Sequence, residues 1–211
     1  MNNYPPPKRI VMLIAGTGKL LDAVGQAIRQ HHLDALIVAA ISHDRWGYGL
    51  LRAEREGIPA ILHDLADYRA TGRSDSVYSD DLLTEVEGHR PDLVMLAGWH
   101  HPLTEAFYAH FAQRLVALQS GPALLSHRSP HTENVVSRLY EAFRAGLITE
   151  ASVSLQQPLP TQLRLVAESR IPIYQTDRPV DLEDRLQRAE QDLLANTLHL
   201  LLRGNNHPPL S

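Results

Sequence analysis

The run Ile10-Val11-Met12-Leu13-Ile14-Ala15 is apolar without interruption, stops at Gly16-Thr17-Gly18, and is followed by Lys19–His32, where Leu20, Leu21, Val24, Ala27 and Ile28 recur at helical spacing. An unbroken apolar strand has no solvent face, so it belongs in a sheet covered on both sides. The same alternation continues along the chain. Ala35–Ile41 reads as a strand, Tyr48–Gly57 as a helix closed by glycine, and Pro59–His63 as a short strand. Asp80–Gly88 reads as a helix and Asp92–Ala97 as a strand, followed by a helix over Thr104–Phe111 and a strand over Leu115–Leu118. Strands separated by helices require crossover connections, which are right-handed and place helices on both faces. The predicted fold class is therefore α/β, a doubly wound, mostly parallel sheet of the Rossmann type.

Beyond Leu118 the rhythm loosens. Gln119–Thr132 reads as a loop and Glu133–Ala145 as a helix. Ala151–Gln157 and Gln162–Glu168 are β-rich, are divided by Pro158-Leu159-Pro160 and read as a hairpin-like excursion. Leu182, Leu186, Ala189, Leu193, Thr197, Leu198 and Leu201 share one face, which predicts a long C-terminal amphipathic helix over Asp181–Arg203. No repeat or linker interrupts the 211 residues, so a single domain spans 1–211, with tails over 1–8 and 204–211.

Composition narrows the function classes. With 20 Lys and Arg against 24 Asp and Glu, a formal net charge of −4 and no basic run longer than a pair, the chain lacks the footprint of a nucleic-acid binder. The absence of cysteine excludes disulfides, thiolate metal sites and a thiol nucleophile. Apolar runs such as Leu33–Ile41 fall far short of the ~20 residues that cross a bilayer. The start, Met1–Arg9, has no apolar secretion core, so the expected compartment is the cytoplasm and no membrane partner is expected. Histidine is in surplus, with 12 residues including the pairs His31/His32 and His100/His101 and the neighbours His127/His131.

In a parallel sheet, ligands bind beyond the carboxyl ends of the strands. The turn Gly16-Thr17-Gly18-Lys19 opens a helix there, where free N–H groups and the Lys19 charge suit a phosphate or carboxylate. The alternative is that its glycines only make a tight turn. The loop Trp99-His100-His101-Pro102-Leu103 is a candidate pocket wall, although Trp46 and Trp99 equally suit core or interface. His100, His101, His127 and His131 are candidates for a general base or pocket lining, with ordinary surface histidines as the alternative. Adjacent histidines rarely share a metal, and Pro130 interrupts the His127/His131 spacing, so no metal is expected. Ser126 and Ser129 lack the glycine flanks of a nucleophile elbow.

Val11–Gly18, Ile41–Pro59 and above all Arg90-Pro91-Asp92-Leu93-Val94-Met95-Leu96-Ala97-Gly98-Trp99 resemble the folate-dependent phosphoribosylglycinamide formyltransferases, as do Ile171-Pro172-Ile173 and Leu182–Glu190. The resemblance implies formyl transfer from 10-formyltetrahydrofolate to the amine of a ribonucleotide glycinamide in purine biosynthesis. That chemistry uses an oxyanion donor, a proton-handling group and a carboxylate that orients it. The family supplies them as Asn and His of an Asn-x-His-Pro-Ser motif and as an Asp in a later glycine-rich loop. Here Ala117, Gln119 and Thr161 stand at those three positions, and Ser154 replaces a further His. None of these side chains exchanges a proton near neutral pH. The resemblance therefore implies a degenerate catalytic set, with His100, His101, His127 and His131 as candidate substitutes from other walls of the pocket. Gly16 and Gly18 match the glycines of the family's Gly-x-Gly-Ser-Asn turn, in which Lys19 and Leu20 replace Ser and Asn, and Glu190 matches a family glutamate near the ribonucleotide, so the resemblance implies Gly16, Thr17, Gly18, Lys19 and Glu190 as phosphate and substrate contacts. For Glu190 the alternative is a solvated helix charge. The expectation is a divergent homologue that binds a phosphorylated small molecule, with 10-formyltetrahydrofolate as cofactor only if the activity is retained; the alternative is an active formyltransferase using non-standard residues. A homodimer is compatible with either.

Overall fold

The computed structural model describes residues 6–30, 33–99, 101–121 and 135–203. In chain order these form β1 (Lys8–Ile14), α1 (Lys19–Gln30), β2 (Ala35–Ser42), α2 (Tyr48–Arg55), β3 (Ala60–Leu62), α3 (Leu65–Ala70) and α4 (Asp75–Gly88). They continue with β4 (Leu93–Ala97), α5 (Glu105–Phe111), β5 (Leu115–Ser120), α6 (Val135–Arg144), β6 (Glu150–Pro158), β7 (Leu163–Pro172) and α7 (Pro179–Arg203). The seven strands make one sheet in the order β3-β2-β1-β4-β5-β6-β7. The five strands β1–β5 are mutually parallel, and β6 and β7 extend the sheet antiparallel beyond β5.

The apolar run of β1 lies in the middle of this sheet, with Ile10 through Ile14 inaccessible to solvent. Its side chains alternate between two cores. Ile10, Met12 and Ile14 pack with α1, α6 and α7, whereas Val11 and Leu13 pack with Tyr78 and Leu82 of α4 and Phe107 and Phe111 of α5. Each such side chain contributes about 1.5–3 kcal/mol on burial, so β1 anchors both layers. On α7, Leu182, Leu186, Leu193, Thr197 and Leu198 are buried, as the amphipathic pattern predicts, and Leu194 joins them.

The structure differs from the sequence reading in three places. The helix expected from Asp80 starts at Asp75, because Ser74 caps it by accepting from the Val77 N–H at 3.3 Å. The short helix α3 goes unpredicted. It is started by Asp64, which accepts from the Ala66 N–H at 2.8 Å, rather than by any apolar periodicity. The predicted hairpin-like pair is no excursion: β6 joins the main sheet by pairing with β5. Among the described residues no helix is long and apolar enough to cross a membrane.

Candidate functional site

The carboxyl ends of β1, β2, β4 and β5 meet at one edge, and the strand order reverses direction between β1 and β4. Ligands of doubly wound sheets bind at such a switch point. The turn after β1 is shaped there by two glycines with positive φ, +64° at Gly16 and +68° at Gly18. They serve different ends. A Cβ on Gly18 would lie 2.7 Å from the Cα of Gly49, so close packing against α2 demands glycine whatever binds outside. A Cβ on Gly16 would meet nothing within 4 Å, so that backbone is open to an approaching group.

The turn's carbonyls are all engaged by protein donors. Gly16 O accepts from Gly49 N at 3.1 Å, Gly18 O from Leu21 N at 3.0 Å, and Thr17 O from Arg52 Nε at 3.1 Å. Arg52 also ion-pairs with Asp22 in the first turn of α1. Lys19 donates to Glu183 at 2.8 Å, and both side chains are about half exposed, so its ammonium is shared with a carboxylate rather than free for an anion. Exposed pairs of this kind contribute at most about 1 kcal/mol and exchange readily.

Two cavities flank this turn on opposite faces of the sheet. The smaller, about 160 Å³, lies on the α1/α7 side between Lys19, Ser120, Glu183, Gln187 and Glu190. Ser120 Oγ donates to the Glu190 carboxylate. Burial raises the Glu190 pKa, against the opposing pull of the Ser120 hydrogen bond and the Lys19 charge. Glu190 is therefore not the solvated helix charge that sequence alone allows.

The larger cleft, about 630 Å³, lies on the other side, between Gly16, His43, Arg69, His101 and Pro102. His43 meets Trp99 edge-on, with ring centroids 4.7 Å apart. His101 is 9% exposed, packs edge-on against Tyr78 and has its Nε2 3.9 Å from Asp75 Oδ1. Of the predicted pocket wall, His101 and Pro102 line the cleft, whereas Trp99 and Leu103 are buried in the core next to it. Trp46 is 86% exposed, which rules out a core position. His100, His127 and His131 lie outside the described residues, as do His31 and His32.

The positions singled out by the resemblance are only partly brought together. Gln119 pairs with Ser154 and Ala117 with Gln156 across the β5/β6 ladder. Thr161 is elsewhere. β6 runs antiparallel to β5, so Pro158 is four residues beyond Ser154, roughly 13 Å towards the amino end of β5. Thr161 sits exposed in the turn past it, closed by Leu159 N to Gln162 O at 2.8 Å. The loop joins β6 to β7 on the side of the sheet where β5 begins.

His43 lies in the loop Ser42–Tyr48, which the strand-end rule marks as a candidate from sequence. Sequence reasoning misses three further residues: Asp75 enters at the start of α4 without periodic signal, and Arg52 looks like any exposed helix arginine. Gln156 carries a readable signal, the polar alternation Ser152, Ser154, Gln156, which on a strand marks one face. That face turns out to be covered. Ser154 is 4% and Gln156 8% exposed.

A family described as formyl transferase matches residues 8–128. A phosphoribosylglycinamide formyltransferase of Schizosaccharomyces pombe is 28% identical over 209 residues, covering 93% of this chain and 98% of that protein. The Escherichia coli protein of the same name is 32% identical over 124 residues, 56% of this chain and 57% of its own. Among solved structures, a phosphoribosylglycinamide formyltransferase from Coxiella burnetii in complex with CHES superposes with a TM-score of 0.75 at 28% identity, covering 92% of this chain and 86% of that one.

Proposed function

The chain belongs to the formyl transferase family, among the phosphoribosylglycinamide formyltransferases, and from that membership we propose that it is a divergent member that binds a phosphorylated metabolite while transferring formyl groups slowly or not at all. The observation that carries this reading is the β5/β6 surface: Ala117, Gln119, Ser154 and Gln156 face one another there without one side chain that exchanges a proton near neutral pH. Loss of one oxyanion donor slows acyl transfer by roughly 10²–10³. Loss of donor, base and orienting carboxylate together leaves only what binding and positioning provide.

The whole chain acts as one formyltransferase-like domain. The anion end rests on the outward N–H groups of the Gly16–Lys19 turn, held by α2 through Gly49 and Arg52, with Lys19 able to exchange Glu183 for a phosphate. A second reading, an active enzyme using other residues, is favoured by one observation, the burial of His101 in the cleft wall beside Asp75. In that case 10-formyltetrahydrofolate is the donor, and His101 moves the proton.

The test is a steady-state assay of formyl transfer from 10-formyltetrahydrofolate to glycinamide ribonucleotide over a series of protein concentrations, alongside calorimetric titration with that ribonucleotide. The expected result is binding without turnover. Turnover that rises linearly with protein and is abolished by His101→Ala establishes the second reading.

A further inference from the structure

One wall of the larger cleft is built differently from the others. His43 and Asp44 follow β2 and His101 follows β4, so central strands carry them, whereas the remaining wall is α3, with Leu65, Ala66 and Arg69. α3 buries none of its six residues, and only Leu65 and Tyr68 pack partly against the core. β1, by contrast, is shut off from solvent from Ile10 to Ile14. Local stability follows the apolar area that an element buries, so α3 opens at a far smaller cost than the sheet.

Polar contacts fasten α3 instead. Arg45, next in sequence to the cleft-lining Asp44, bridges to it: Nε donates to Asp64 Oδ2 at 2.7 Å and Nη2 to Asp67 Oδ2 at 3.1 Å. The buried Asp64 uses its other oxygen to accept from Ala66 N at 2.8 Å, so one carboxylate both starts α3 and ties it down. At the far end Tyr68 Oη donates to Asp81 of α4 at 2.7 Å, and the Arg73 guanidinium lies 3.7 Å from the Tyr68 ring. The flanks of the segment are fixed. His63 N donates to Ser42 O at 2.8 Å, and Ser74 caps α4.

We infer that α3 is a movable wall of the larger cleft, latched by Arg45, and that release of the latch swings α3 away from the loop after β2 and uncovers His101. An aromatic row links the two. Tyr68 meets Tyr78 edge-on with ring centroids 5.1 Å apart, and Tyr78 meets His101 edge-on at 5.0 Å. Moving Tyr68 strips one side of that row. The Arg45 guanidinium is half exposed and both of its partners are carboxylates, so dissolved salt weakens the closed state. An ion pair rather than apolar packing sets the width of the cleft, whether or not formyl transfer occurs there.

Labelling of the full chain with diethyl pyrocarbonate, resolved histidine by histidine by mass spectrometry, reads this opening without a ligand. At pH ~8 the imidazoles are neutral, so the rate follows access. His199 on α7, across the sheet from the cleft, is the reference. In wild type His101 is expected to react more slowly than His199 and to gain on it as ionic strength rises. Arg45→Ala is expected to speed His101 labelling about tenfold or more, which is the worth of a hydrogen bond to a charged group, and to abolish the salt effect. Amide hydrogen exchange in that variant should quicken over residues 66–72 and stay unchanged over β1. Tyr68→Phe keeps the ring and removes only the bond to Asp81; it should speed His101 labelling to a smaller extent, and it serves if Arg45→Ala does not fold. Labelling of His101 that is indifferent to both substitutions and to salt makes α3 a fixed wall and overturns the inference. Exchange that quickens equally in α3 and β1 overturns it too, because α3 then opens only when the whole domain unfolds.

Discussion

Replacing Gly18 with alanine brings a Cβ to 2.7 Å from the Gly49 Cα, a contact between two backbones that no rotamer change relieves. The φ of +68° adds the left-handed penalty of about 1–2 kcal/mol. Overpacking against the backbone adds about 1–3 kcal/mol. The sum is ~2–5 kcal/mol, a large fraction of a typical domain's stability. Gly16→Ala is the internal control. Its φ of +64° is nearly the same, but the added methyl meets nothing within 4 Å, so only the conformational part, about 1–2 kcal/mol, applies. Equilibrium urea unfolding measures both. With a slope of ~2 kcal/mol per molar, the Gly18 variant should unfold roughly 0.5–1.5 M earlier than the Gly16 variant. Equal midpoints, or a Gly16 variant that is the less stable of the two, would refute the assignment of Gly18 to close packing and Gly16 to an open surface.

Other outcomes follow from the same geometry. Glu190→Gln should gain stability relative to wild type as pH rises from 4 to 7. Burial holds the native carboxyl's pKa above its unfolded value, so the wild-type protein loses stability as pH rises through the ordinary carboxylate range, and the glutamine does not. Chemical denaturation at several pH values measures this. Ser74→Ala removes the cap of α4 and should lower stability by about 1 kcal/mol, read from a thermal melt. Thr161→Asp should add no formyl transfer to the double variant Ala117→Asn, Gln119→His, because residue 161 lies in a loop on the side of the sheet where β5 begins; a carboxylate there that raises the rate would show the turn to be misplaced.

The part of the fold that local chemistry specifies is legible from residues alone. The apolar run of β1, the glycine turn and the stripe on α7 each carry their own periodicity. α3 is not legible because Leu65–Ala70 is too short to show a period, with only Leu65 and Tyr68 packing against the core, and depends on the Asp64 cap. The long-range register of β6 is likewise hidden. It is this register, not composition, that takes Thr161 away from Gln119 and brings Gln156 opposite Ala117. The site follows the same division. Gly16, Gly18 and Lys19 are found at the carboxyl edge by motif, whereas the pairing of Lys19 with Glu183 joins residues 164 positions apart, and no spacing rule reaches that far.

The most direct measurement is a single-turnover experiment with the protein in excess over 10-formyltetrahydrofolate and glycinamide ribonucleotide saturating, following labelled formyl into the ribonucleotide. Slow product release then plays no part, and the rate reports chemistry alone. The account predicts label transfer that exceeds a protein-free control by no more than binding and positioning provide, although calorimetry shows the ribonucleotide bound. A transfer phase that is complete within seconds would contradict it and would mean that this cleft has rebuilt the reaction from other residues.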